Sequence, residues 1–335
     1  MADNLYVHFP FCRGKCSYCS LHSRGGSSAE ERAAYVSAVA LAVSSRPERR
    51  WKTAYFGGGT PALCDLAPAL AAVEADEFTV ELHPLDVTDG LVAKLADAGV
   101  NRVSMGVQSL DDAILGHMGR GYSFEDAERA FAAVKKRIDN AGIDLIVGYP
   151  GETAAILPRH SRLADWGLRH CSVYALQNER GLAGAVDDDT AMDRIAETAA
   201  FLEGLGLSRY EISNYAAPGF ECRHNLAVWR GEDYAGIGEG ACGREGLLRT
   251  TGRRSRGGSP FEVRTEEVSP ETDAKERRIF RLRTREGLDA SGFPEWEEPL
   301  SRFAAEGLLE RRGRELYVLT PRGAEVCDAI LAGLA

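Results

Sequence analysis

Short apolar runs alternate, over the first two thirds of the chain, with longer stretches whose apolar residues recur at helical spacing. Runs 5–9, 53–56, 78–82, 102–107, 143–147, 172–176 and 210–213 read as strands. Stretches 29–43, 88–98, 124–138 and 190–205 read as amphipathic helices. Such a strand–helix repeat predicts an α/β fold with a parallel sheet and crossover helices. Positions 57–60, Glu81, Gln108 and 149–151 fall at or just after strand ends, and parallel barrels build their sites from the carboxyl ends of strands. A barrel or partial barrel, with one site assembled from several strand ends, is therefore expected over 1–243.

Beyond this repeat the pattern changes. Segment 244–269 is rich in Gly, Ser, Thr and Arg and reads as a linker or exposed loop. In 270–335 two helices, a strand at 315–319 and a last helix opened by Thr320-Pro321 predict a small α+β, winged-helix-like domain. Net charge −10 opposes general nucleic-acid binding, which needs a basic footprint. Arg244, Arg249, Arg253, Arg254, Arg256 and Arg264 form a local exception, read as a solvated loop face. The chain has no apolar run of about 18 residues, and Asp3 and Asn4 precede the first apolar stretch. It is expected to be cytoplasmic and not an integral membrane protein.

Eight cysteines, three of them within Cys12-Arg-Gly-Lys-Cys16-Ser-Tyr-Cys19, do not form the pattern of a secreted disulfide framework. Cys64, Cys171, Cys222, Cys242 and Cys327 are scattered and read as core. Three thiolates in one loop can converge on a metal centre. A structural zinc site is closed by four ligands, whereas a four-iron cluster on three cysteines keeps one iron open. His8 and His22 are near in sequence but make no zinc-finger spacing, so the cluster is favoured over zinc. Gly57-Gly58-Gly59-Thr60-Pro61 permits close backbone approach to a ligand. Glu81 and Gln108 offer hydrogen-bonding groups at strand ends, and Arg120 offers a planar donor fork.

These motifs, together with Arg102-Val-Ser-Met-Gly-Val-Gln108-Ser, Ile143-Asp-Leu-Ile-Val-Gly-Tyr-Pro-Gly151 and Tyr210-Glu-Ile-Ser-Asn-Tyr215, resemble the HemN/HemW branch of the radical S-adenosylmethionine (SAM) proteins. The resemblance implies a partial (β/α)6 barrel holding a [4Fe-4S] cluster on Cys12, Cys16 and Cys19, with SAM chelating the open iron. It also implies that Gly58, Gly59 and Thr60 contact the methionine part of SAM, and that Tyr6, Glu81, Gln108, Arg120 and Asp144 line the rest of its site.

Within this branch, oxygen-independent coproporphyrinogen III dehydrogenases decarboxylate propionates through a deoxyadenosyl radical, while HemW-type heme chaperones bind heme and pass it to respiratory proteins. Leu21 stands where the dehydrogenases carry a further cysteine, and only four residues precede the first predicted strand. His224-Asn-Leu-Ala-Val-Trp229 is similar to the HemW motif whose histidine is associated with heme, although Val228 replaces a tyrosine; His83 replaces a residue more often Asn or Asp. The resemblance thus implies a heme chaperone with His224 as candidate heme ligand, the dehydrogenase being the alternative. Its implied partners are heme or porphyrin, a heme-acceptor protein and an electron donor such as a flavodoxin or ferredoxin. Whether the chain forms a homodimer is left open.

Overall fold

Alternation along each strand sorts the chain into two layers. In β1 (Asn4–Phe9), Leu5, Val7 and Phe9 are fully buried on the outer face, while Asn4, Tyr6 and His8 point the other way. The computed structural model describes residues 2–48, 50–152, 161–177, 181–255 and 257–334, so Arg256 lies outside the described residues. Helix α1 (Ala29–Ser44) starts where the Ser28 side chain accepts the Glu31 N–H, with Glu30 and Glu31 favourably placed in the first turn. It lays Tyr35, Val36, Val39 and Val43 on the sheet. The chain continues through β2 (Trp51–Gly58), α2 (Ala67–Leu70), β3 (Ala75–Leu82), α3 (Asp89–Asp97), β4 (Arg102–Gln108), α4 (Asp112–Met118), α5 (Phe124–Lys135), β5 (Asn140–Val147) and β6 (His170–Ala175). Strands β1 to β6 pair in sequence order, all parallel. Outward Phe9, Phe56 and Phe78 stack edge to face or tilted against one another, with centroids 4.9 and 5.3 Å apart. Each such buried side chain contributes about 1.5–3 kcal/mol.

After β6 come α6 (Asp188–Gly204), β7 (Ser208–Arg209), β8 (Asn214–Ala216), α7 (Arg223–Trp229) and β9 (Tyr234–Ile237). The strand expected at 210–213 is instead the bend between β7 and β8, which pair antiparallel. There the Glu211 carboxylate accepts the Ser213 N–H at 3.1 Å, a local bond that competes with strand pairing. On the opposite side β9 joins β1 in parallel, followed by β10 (Cys242–Glu245), β11 (Leu248–Arg254) and β12 (Phe261–Glu267). The 244–269 segment is thus not a linker but an antiparallel extension of the sheet. Its strands are mostly exposed, and Leu248, Phe261 and Val263 are their only large apolar residues, too few to be read as strands from apolar runs. Arg244 and Arg249 of the basic run are not a free anion face either. They pair with Glu276 at 2.9 and 2.8 Å, and Arg249 with Asp273 at 2.7 Å, tying the extension to α8 (Pro270–Ile279).

From α8 onward lie β13 (Leu288–Asp289), α9 (Glu297–Ala305), β14 (Leu309–Arg312), β15 (Leu316–Leu319), α10 (Pro321–Glu325) and α11 (Cys327–Ala332). β13, β15 and β14 form a separate three-stranded sheet over an apolar cluster that includes Leu282, Trp296 and Leu300. Thr320 caps α10 through its hydroxyl, with Pro321 at the first helical position. This C-terminal unit joins the open side of the barrel where the Arg285 N–H donates to the Tyr210 carbonyl at 3.0 Å and Glu211 bridges Thr284. Among the described residues no helix is long and apolar enough to cross a membrane.

Candidate functional site

The cysteine loop leaves the carboxyl end of β1 and returns to it. Its base is closed by Cys12 N–H to the Arg24 carbonyl at 2.9 Å and Arg24 N–H to the Pro10 carbonyl at 2.7 Å. His8 Nε2 lies 2.8 Å from the His22 carbonyl, and His22 Nε2 lies 2.8 Å from a Glu239 carboxylate oxygen. Arg24 Nε stands 3.5 Å from the other oxygen of Glu239, whose side chain is 3% exposed. The Glu239 N–H donates to the Tyr35 hydroxyl at 2.7 Å, which in turn donates to the His8 carbonyl at 2.8 Å. Sequence reasoning weighed His8 and His22 only as zinc ligands and did not pick out Arg24, Tyr35 or Glu239. The one signal was Glu239 set between Gly238 and Gly240, both at positive φ (108° and 92°) just after β9.

Cys12, Cys16 and Cys19 all line one cavity of about 1,550 Å³, which opens at the carboxyl ends of the strands and reaches inward to Arg102 and His170, the first residues of β4 and β6, and to Asn225 of α7. None of the eight cysteines is in a disulfide. Among the described residues no three His, Cys, Asp or Glu side chains are grouped to hold a single metal ion. The Cys12 thiol is pushed up by burial, with hydrogen bonds from Thr60 and Ser23 working against that shift. Arg120 reaches into the loop, with Nη1 3.7 Å from the Cys16 sulfur and 3.2 Å from the Tyr18 hydroxyl.

The glycine turn is built to let backbone lie against this loop. Gly59 N–H donates to the Phe9 carbonyl and Thr60 N–H to the Phe11 carbonyl, each at 2.7 Å. A Cβ on Gly59 would sit 2.6 Å from the Phe11 carbonyl oxygen and 3.0 Å from the Cys12 sulfur; Gly58, at φ 111°, has the His8 ring 2.7 Å from the same position. Only glycine fits both. The Glu81 carboxylate accepts the Gly58 N–H at 3.0 Å and the Tyr55 hydroxyl at 2.8 Å. Gln108 is the one non-glycine residue at positive φ among those described (68°), where the β4–β5 register shifts. Arg120 Nη2 and the Tyr122 hydroxyl secure that bulge through the Gly106 carbonyl at 2.7 and 2.9 Å. Asp144 accepts the Ser104 hydroxyl at 3.0 Å.

Of the expected SAM-site residues, Gly58, Gly59, Thr60, Glu81, Gln108, Arg120 and Asp144 line the cavity together with the cysteines. Tyr6 does not: it lies deeper, its hydroxyl 2.9 Å from His8 Nδ1. His83, in place of the more usual Asn or Asp, does what those residues do at a helix start. Its Nδ1 accepts the Leu85 N–H at 3.2 Å. Burial and the nearby Arg120 and Arg13 push His83 down to about 3, so that nitrogen stays an acceptor.

Burial, reinforced by Asp144, pushes the Glu81 carboxyl up to about 7, and burial raises Asp144 as well. Between the ordinary value of 4.5 and about 7, the folded chain therefore holds a proton on Glu81 that the unfolded chain has released. Stability from this group is full below that window and is lost as pH rises through it. We expect the thermal midpoint to fall more steeply from pH 5 to pH 7.5 in the unmodified chain than in Glu81→Gln. The expected difference is at least about 1 kcal/mol, or roughly 2–4 °C, and equal slopes would remove Glu81 as the cause.

His224 stands at the other end of the barrel. It is 4% exposed, its Nδ1 lies 2.8 Å from the Thr53 hydroxyl, and it does not line the cavity. Thr53 pairs with Asn4 at the start of β1, whereas Gly57 pairs with His8 near its end. Four strand residues, about 13 Å, separate the two levels. Glu77 fixes α7 there by accepting the backbone N–H groups of Arg223 and His224, each at 3.0 Å. Burial and Arg102 push His224 down to about 3. In this arrangement the ring sits beneath the inner end of the cavity, which its neighbours Asn225 and Tyr55 line, and His224 itself is turned to Thr53.

Glu239 is the keystone of the loop's base, so its removal has a local expectation. Outer residues that orient ligands typically change metal affinity 10–100-fold. Glu239→Ala is expected to shed cluster iron to a chelator at least about tenfold faster than the unmodified chain; an unchanged rate would separate Glu239 from the loop.

The sequence profile of the radical SAM superfamily matches residues 6–164. The chain is 32% identical to the heme chaperone HemW of Mycobacterium tuberculosis, covering 98% of this chain and 94% of that one. It is 34% identical to the heme chaperone HemW of Escherichia coli, over 75% of this chain and 74% of the relative. Among solved structures, the coproporphyrinogen III oxidase HemN of E. coli, a radical SAM enzyme, superposes with a TM-score of 0.83 at 20% identity, covering 99% of this chain and 90% of that one. That likeness is one of fold.

Proposed function

This chain belongs to the HemN/HemW family of radical SAM proteins, and from that premise we propose that it is a heme chaperone, which holds heme in the strand-end cavity and releases it to an acceptor protein. The observation that carries this reading is the lining of the cavity. Four of the seven large apolar side chains left exposed among the described residues, Leu21, Leu85, Tyr174 and Val326, line this one cavity. Exposed apolar surface gathered in one place marks a binding site. At about 1,550 Å³ the cavity also exceeds the roughly 300–1,000 Å³ usual for a single small ligand. It has room for SAM beside the cysteine loop and for a flat macrocycle beyond it.

The residues present fit the cluster and SAM. Cys12, Cys16 and Cys19 are the ligands, and the Gly58–Gly59 backbone packs directly against the Cys12 side of their loop, where a Cβ would strike His8, Phe11 or the Cys12 sulfur. When bound, the cluster supplies an open iron for the methionine end of SAM and a centre that accepts one electron. Glu81 and Asp144 offer acceptors to the polar groups of SAM, Gln108 offers both donor and acceptor, and Arg120 holds Gln108's bulge and the Cys16 side of the loop in fixed relation. A flavodoxin or ferredoxin fits as electron donor, and the cytoplasm as the compartment.

The test is an anaerobic heme titration of the cluster-reconstituted chain followed by Soret absorbance. Saturable one-to-one binding is expected. Its absence would overturn the chaperone reading and make coproporphyrinogen III decarboxylation the activity to assay. His224→Ala belongs in the same titration: an unaltered Soret band assigns His224 to the barrel floor, and a shifted band assigns it to the iron.

A further inference from the structure

The cavity has two unlike ends. Towards the cysteine loop Leu21 and Leu85 expose apolar side chains, beside Arg13, which is paired with Asp86 at 2.5 Å; Tyr174 stands further in, near Asp144 and Glu211. Where the barrel meets the C-terminal unit, four arginines line it: Arg209, Arg283, Arg285 and Arg312. Arg209, in β7, donates from Nε to the main-chain carbonyls of Glu211 at 3.3 Å and Ile212 at 2.9 Å and from Nη2 to Ile212 as well, which leaves the Nη1 side of the fork for a ligand. Among the described residues it has no carboxylate within ion-pair distance. Arg283 lies over the Trp229 ring at 4.6 Å, so its guanidinium plane is held by stacking. Its Nε is enclosed without a hydrogen-bond partner, and its ion-pair partner Asp328, at 2.7 Å, is 86% exposed. Such a pair is worth little in water and is readily exchanged. The same holds for Arg312 with Glu310, more than half exposed on both sides, whereas Arg285 is held by the more enclosed Glu221 at 2.7 Å. Acids line this end too, but Glu211, beside both Arg209 and Arg283, is pushed up by burial and already accepts the Ser213 N–H.

We propose that this arginine end is a carboxylate subsite, in which the two propionates of a bound porphyrin dock on Arg209 and Arg283, with the opposite, apolar edge of the macrocycle turned towards Leu21 and Leu85. The inference rests on the heme-chaperone reading and specifies how that ligand lies. Guanidinium forks match carboxylates in two-point geometry, and two such forks match a disc that carries both its acids on one edge. Arg209 belongs to the barrel side and Arg283 to the C-terminal unit, so the ligand's carboxylates bridge the two. Trp229, from the His224–Trp229 motif, then acts as a positioning residue beneath Arg283.

The test compares hemin with hemin dimethyl ester, which keeps the disc and iron but lacks both negative charges, by anaerobic Soret titration of the cluster-reconstituted chain. The unmodified chain is expected to prefer hemin by at least about tenfold, one charge-assisted contact being worth that much. Arg209→Gln and Arg283→Gln should each erode the preference while leaving affinity for the diester unchanged, and Arg209→Lys should keep part of it. Because Arg283→Gln also loses the Trp229 stack, Arg209→Gln, with its thermal midpoint checked against the unmodified chain, is the deciding variant. Equal affinity of the unmodified chain for both ligands, or an intact preference in Arg209→Gln, overturns the subsite and leaves the chaperone reading standing. Binding of neither ligand overturns both.

Discussion

Cys16→Ser is expected to leave the chain without its cluster, with iron and sulfide after anaerobic reconstitution falling from roughly four of each to near zero. Cys16 sits beside the Arg120 guanidinium at the cavity mouth, and a serine hydroxyl does not ionise there to replace a thiolate ligand. The control is Cys64→Ser. Cys64 is 7% exposed, belongs to the apolar core and does not line the cavity, and burial pushes its thiol up to about 12, so it remains a protonated core side chain. Full iron and sulfide in Cys16→Ser would contradict the ligand assignment; loss in Cys64→Ser as well would point to general unfolding.

Glu77→Leu should produce the largest loss of stability away from the cysteine loop. The carboxylate is 5% exposed, yet it satisfies two first-turn N–H groups of α7, those of Arg223 and His224, and lies 3.8 Å from the Cys222 thiol. It also faces Arg102, a fully enclosed guanidinium whose Nη1 lies 3.5 Å from the Thr79 hydroxyl and whose Nε has no hydrogen-bond partner among the described residues. Removing one member of a buried charge set typically costs about 3–5 kcal/mol. With roughly 2–4 °C of midpoint per kcal/mol, a fall of about 6–20 °C is expected by differential scanning calorimetry. A change within about 2 °C would mean that α7 is held by its packing alone.

The alternating apolar positions made β1 to β6 readable because each strand has one face against a helix layer and one facing a polar interior. The same rule failed in β11 and β12, which are mostly exposed and carry only Leu248, Phe261 and Val263 as large apolar residues. It failed again at 210–213, where apolar content alone reads as a strand but the Glu211 carboxylate captures the Ser213 N–H and bends the chain.

By itself, the sequence determined the repeat of parallel strands and crossover helices, the three-cysteine loop and the family, because these rest on local periodicity, residue type and short spacings. Only the tertiary structure decided that Glu239, more than 200 positions away, closes the base of that loop through His22. It likewise put His224 on the barrel floor rather than in the cavity, and brought Arg209 and Arg283 to one wall. These are pairings between residues distant along the chain, set by how the strands twist round a common axis and where the C-terminal unit closes the open side, and no local pattern of side chains encodes them.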